Sequence, residues 1–186
     1  MKIILTLIMT FITSLVLVTS FYEGFSQLEN IYTNEKCGIS IQYPEDWTVE
    51  ESDIAVKDLK TLADFTPEDD FLLFGVYIEI ENFGLYKKSM EGVSEFQKDL
   101  ATYALPDSTI IESRFTEING FPTHKMVYTM GIGDRILTYL IIAYDREYLL
   151  TFEAADKEEF DKYSSTVEEM ANSIKISKPN FEGTNC

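Results

Sequence analysis

Ile136-Leu137-Thr138-Tyr139-Leu140-Ile141-Ile142-Ala143-Tyr144 runs nine residues without a charge. Successive side chains of a strand point to opposite faces, so a run that is greasy at every step needs cover on both. Phe71-Leu72-Leu73-Phe74-Gly75-Val76-Tyr77-Ile78-Glu79-Ile80 is a second such run, with Gly75 marking a bulge. Both read as central strands of one sheet.

The flanks supply the rest of the sheet. Ile110 to Ile118 is extended, and Asn119-Gly120 then signals a tight hairpin into Phe121–Met130. Gly131 to Asp134 turns into the nine-residue run, Asp145-Arg146 turns again, and Tyr148–Phe152 closes an antiparallel meander. Nearer the start, Ile39, Ile41 and Tyr43 alternate with Ser40 and Gln42, which is the period of a half-buried strand. Pro44 lacks a ladder donor and stops that strand; Glu45-Asp46 turn, and Trp47-Thr48-Val49 restart. The lone tryptophan therefore reads as a core residue under the first strand.

Two segments switch to helical period. Met90, Val93, Phe96, Leu100 and Ala104 form a stripe between Ser89, a suitable N-cap, and Pro106. Asp156 starts a second helix with Glu159 in capping-box position, and Phe160, Tyr163, Val167, Met170 and Ile174 share its apolar face. The expected class is α+β. It is an α/β/α sandwich with a central, mainly antiparallel sheet of about six strands and helices on both faces.

Charge narrows the function. Fifteen Lys and Arg stand against 32 Asp and Glu, a net charge of −17. Such a surface repels phosphate, which excludes nucleic acid as a partner, and it attracts a protein with a basic surface. Solubility by self-repulsion is the plainer use of the same charge.

Lys2 precedes an uncharged run up to Glu23, the shape of an export signal, and Gly24-Phe25-Ser26 offers small residues for cleavage after Ser26. The run exceeds the usual apolar core of about 7–15 residues. Residues 1–26 are thus a signal peptide or an N-terminal membrane anchor, with membrane contact through residues 3–22 if uncut. Six Thr and Ser hydroxyls within it favour the signal. Either way the folded part, residues 27–176 with a polar tail over 177–186, lies outside the cytoplasm.

Cys37 and Cys186 are the two cysteines. In an oxidising compartment they could pair, closing a loop of about 150 residues that removes roughly 5 kcal/mol of unfolded-state entropy. Two unrelated thiols are the other reading.

No nucleophile elbow, phosphate loop, zinc-protease or dinucleotide fingerprint occurs, so no catalytic residue and no cofactor is assigned. His124, the one histidine, alternates with Met126 and Tyr128 as a structural residue does. Asp64, Glu68, Asp69 and Asp70 put hard oxygens in one stretch, the ligand type calcium prefers, without the spacing or glycine of an EF-hand. A solvated acidic loop is the alternative, and a small ligand between sheet and helix is a third use of the fold.

The element Gly38-Ile39-Ser40-Ile41-x-Tyr43-Pro44-x-x-Trp47 resembles the signature of the PsbP-like superfamily. The Asn119-Gly120 hairpin, the 136–144 run and the ending Ser173-Ile174-Lys175-Ile176 agree with it over about residues 31–176. The resemblance implies an α/β/α sandwich. Its plant member is a lumenal photosystem II subunit supporting calcium and chloride retention, and a nuclear relative binds the GTPase Ran. This chain lacks the plant subunit's long N-terminal arm and basic docking surface, and its leader excludes a nuclear role. The resemblance therefore implies an exported, non-catalytic accessory module that docks on a membrane-associated complex.

Overall fold

The structure is a computed structural model. It describes residues 27–52, 55–56, 59–68, 73–79, Glu91, Gly92, Glu95, Lys98, 107–131, 133–144 and 146–178. Eleven strands form two antiparallel sheets among these residues. β1 (Asn30–Asn34) pairs with β2 (Ile39–Tyr43), and β2 also takes β11 (Lys175–Ile176).

The larger sheet has eight strands. It runs in the order β3 (Trp47–Glu51), β5 (Leu59–Pro67), β6 (Leu73–Glu79), β10 (Arg146–Ala154), β9 (Asp134–Ala143), β8 (Phe121–Met130) and β7 (Thr109–Ile118). The short β4 (Ala55–Val56) pairs with β5 off that path.

The turns form as their residues dictate. Asn119 and Gly120 take φ of 51° and 84°, the double left-handed geometry of the two-residue hairpin. Pro44 ends β2, and its carbonyl accepts the Trp47 N–H at 3.2 Å, closing the turn into β3.

α1 (Lys157–Ser173) starts at Asp156, whose carboxylate accepts the Glu159 N–H at 2.9 Å; Glu159 in turn accepts the Ala155 N–H at 2.7 Å. At the other end the Asn119 side chain donates to the carbonyls of Asn172 (3.2 Å) and Ile174. The hairpin thereby satisfies acceptors that the helix terminus leaves open.

The core explains the layering. Phe65, Leu137, Tyr139, Ile141, Tyr148, Leu150 and Phe152 of the large sheet are buried with Ile39 and Ile41 of β2 and with Val167, Met170 and Ala171 of α1. Tyr32 and Tyr43 meet the Phe65 ring at 5.8 and 5.3 Å, and Trp47 meets Tyr163 of α1 edge-on at 5.9 Å. Helix and small sheet thus cover the same face.

This corrects the expected architecture. The chain is mostly β, with one helix of described course; it is not an α/β/α sandwich with helices on both faces of a six-stranded sheet. The alternation over 39–43 shows that this strand has an apolar face without saying what it meets. β1 and β2 bury their apolar face as a separate layer against β5, where the expectation counted Ile39–Tyr43 among the strands of one central sheet.

Of the helix expected between Ser89 and Leu105, Glu91, Gly92, Glu95 and Lys98 are described and helical; the remainder lies outside the described residues. Phe71, Leu72 and Ile80 also lie outside them, while Leu73–Glu79 is an interior strand as expected. Residues 136 to 141 of β9 are buried in succession, so that strand is sheltered on both faces.

Candidate functional site

His124 is fully buried on β8, and its Nε2 lies 2.9 Å from the Ser113 hydroxyl of β7. No motif in the sequence marks this pair: the residues are brought together by the Asn119-Gly120 hairpin and stand diagonally across the ladder. Burial, and after it the charge of Lys98, holds the imidazole pKa below its ordinary value. A neutral histidine beside a serine hydroxyl has the composition of a base and a nucleophile. The setting removes the chemistry. A ring with no exposed surface is closed to substrate.

On the opposite face of β8, Lys125 is 5% exposed and gives its ammonium to Glu168 of α1 at 2.6 Å and to Glu112 of β7 at 3.5 Å. Arg114 holds the other side of Glu112 at 2.5 Å. The Tyr139 ring lies 5.9 Å from the Lys125 ammonium, and burial, then the charge of Glu168, pushes its phenol far above the usual range. The cluster ties α1 to the sheet. Its partners are up to 43 positions apart and carry no shared sequence signal.

The proposed calcium ligands divide. Asp64 is a strand residue of β5, opposite Glu50 of β3, and Glu68 lies just past the end of β5, its N–H bonded to the Asp46 carbonyl at 3.0 Å. Asp69 and Asp70 lie outside the described residues. The Asp64 Oδ1 is buried without a hydrogen-bond partner, and burial, then Glu50, raises the carboxyl pKa. Among the described residues no three His, Cys, Asp or Glu side chains gather in a metal-holding group.

Cys37 is 1% exposed at the β1–β2 turn; Cys186 lies outside the described residues. Beside the turn is an open hollow of about 510 Å³ with Leu62 at its base and Glu35, Lys36, Glu51 and Lys60 around it. Its mixed charge and openness differ from the enclosed apolar pockets that hold small molecules. The expectation of a small ligand between sheet and helix gains nothing from it.

The acidity has a place in the fold. Glu45, Asp46, Glu50, Glu51 and Glu68 are all exposed, and all lie on or beside β3, the strand at one edge of the large sheet. The family model described as PsbP-like protein matches the chain over residues 19–176. The chain belongs to the PsbP-like family. The solution structure of the cyanobacterial PsbP (CyanoP) from Synechocystis sp. PCC 6803 is similar, with a TM-score of 0.60 at 15% identity, covering 84% of this chain and 96% of that one. The Ran-binding protein Mog1p of Saccharomyces cerevisiae is similar at a TM-score of 0.51 and 9% identity, covering 79% and 94%. A Pseudomonas aeruginosa protein of unknown function, described as a putative regulator, gives 0.52 at 8% identity, covering 81% and 98%. At such identities the likeness is one of fold. No curated protein matches. For this PsbP-like chain, no helix among the described residues is long and apolar enough to cross a membrane.

Proposed function

We propose that this PsbP-like protein is an exported, non-catalytic accessory module that docks its β3 edge on the basic surface of a membrane-associated protein complex. The supporting observation is the gathering of Glu45, Asp46, Glu50, Glu51 and Glu68 at one edge of the sheet in a chain of net charge −17. Charge of one sign on one edge steers a basic partner and sets its orientation, and salt screens the attraction within about 8–10 Å at physiological ionic strength. The leader, residues 1–26, supports an extracytoplasmic site of action, and residues 3–22 supply membrane contact if they are retained.

Crosslinking in native membranes at low and high salt tests the reading. A basic protein should be captured at low salt and lost at high salt, and Glu50→Lys with Glu51→Lys should weaken its capture at low salt. A partner list that ignores both changes removes the proposal.

Calcium binding is the second reading, carried by the partnerless Oδ1 of Asp64. Calorimetric titration of the full chain with calcium should then give heat that Asp64→Asn abolishes. Absence of heat from the unmutated protein removes it.

A further inference from the structure

β7 closes the large sheet at the end opposite β3, and among the described residues it pairs only with β8. It is ten residues long. Free edges in soluble proteins are usually short, charged or interrupted, because an open ladder recruits another strand. β7 instead carries two of the four large apolar side chains that stand out from the described surface: Ile111 at 50% and Phe115 at 53% exposure. Glu112 and Arg114 stand opposite Val127 and Lys125 on one face, Ser113 and Phe115 opposite Met126 and His124 on the other, and Ile111 is the extra residue at the bulge between Ile110 and Glu112.

These residues form a palindrome in chemistry. An antiparallel partner strand identical to β7, centred on Ser113, sets Ile111 opposite Phe115 and Glu112 opposite Arg114, twice each. Ser113 faces its own copy. Moving the centre by one residue sets Glu112 against Glu112 or Arg114 against Arg114, which like charge disfavours. The composition thus selects one register as well as permitting pairing. A contact in which each residue meets its complement on an identical chain is the requirement of a twofold dimer.

We propose that the protein forms a symmetric dimer by pairing β7 with β7 of a second copy about Ser113, extending the large sheet across the twofold axis. The bulge at Ile111, where the β7–β8 register shifts, marks one end of the paired segment. The dimer is independent of the docking proposed for β3, which lies at the other edge of the sheet. Salt separates the two. Each copy carries −17, so screening strengthens association of like-charged copies and weakens attachment to a basic partner.

Sedimentation velocity of the full chain, in a mild detergent that keeps residues 1–26 soluble, should show a species of twice the monomer mass that grows as salt is raised. Phe115→Glu, which sets a carboxylate against Ile111, and Arg114→Glu, which sets one against Glu112, should each weaken it at least about tenfold. Ser113→Cys should give a reductant-sensitive crosslinked dimer, because residues facing one another across a ladder have Cβ atoms roughly 4.5–5.5 Å apart. Circular dichroism confirms that each variant is folded. A protein that is monomeric at every salt and concentration, a dimer indifferent to Phe115→Glu, or a β7 edge that captures a basic peptide in place of a second copy overturns the proposal.

Discussion

The backbone N–H of Ser177 donates to the carbonyl oxygen of Gly38 at 2.7 Å, and the Ser177 hydroxyl donates to the same oxygen at 3.3 Å across 139 positions of chain. Gly38 holds φ at +68°, and a Cβ built there lies 2.5 Å from the Ser177 carbonyl oxygen. Left-handed backbone and close approach together demand glycine. Gly38→Ala should therefore destabilise the protein by about 1–3 kcal/mol, seen as a lower urea midpoint. It should also expose the β11 amides to faster hydrogen exchange. Gly120, also left-handed but with no atom within 4 Å of a built Cβ, should cost less when changed to alanine.

The same contact bears on Cys37. Ser177 anchors the chain next to Gly38, and Cys186 follows nine positions later, well within reach of the β1–β2 turn. Intact-mass measurement of the native protein should find it two hydrogens lighter before reduction than after, and reductant should lower the unfolding midpoint. An unchanged mass ends the expectation of a Cys37–Cys186 bridge. The same spectrum reports whether residues 1–26 are removed.

Two groups give stability opposite dependences on pH. Burial lowers the native pKa of His124 below the ordinary 6.5, so the unfolded chain binds that proton first. Its contribution is whole above that value and is lost as the pH falls through the native pKa. His124→Gln should flatten the decline in urea midpoint below neutrality. Asp64 behaves in reverse: its pKa is raised above 3.8, so stability is fullest below that value and is lost as the pH rises through the native pKa. Asp64→Asn should raise the midpoint at neutral pH and leave it unaltered in acid. A midpoint–pH curve that either variant leaves parallel to the wild type contradicts the assignment for that residue.

Lys125 is buried with partners that are only partly so, Glu112 at 36% and Glu168 at 42% exposure of the side chain. Replacing the whole interaction by an apolar group of similar length should cost little, so Lys125→Met should lie within about 1 kcal/mol of wild type. Glu112→Gln together with Glu168→Gln strands the ammonium and should cost about 3 kcal/mol, the low end for a broken buried pair because water reaches both carboxylates. Chemical denaturation of the three proteins decides it. Equal losses in the two variants indicate that packing of the lysine stem matters and its charge does not.

Much of the local structure was legible in the residues themselves. The unbroken apolar run over 136–144, alternation over 39–43, glycine after asparagine at 120, proline at 44 and a carboxylate three positions before Glu159 act within a few residues, so they write strands, hairpin, strand end and helix start directly. Burial of the lone tryptophan followed from the same alternation. The expected cover on both faces of 136–141 was met, yet the identity of the layers was not read. An apolar face specifies that something must lie against it and leaves the partner open.

The sequence by itself determined the acidity, the meander from Ile110 to Phe152, the Asn119-Gly120 turn, the start of α1 and the family, while β5 (Leu59–Pro67) stands where an acidic loop was expected. Only the tertiary structure decided that β1 and β2 leave the main sheet to join β11, that Asn119 caps the far end of α1, and that Lys125 finds Glu168. The physical reason is range. Propensity, alternation and capping are settled between neighbours along the chain, whereas layering and ion pairing depend on which surfaces meet after collapse, between residues tens of positions apart.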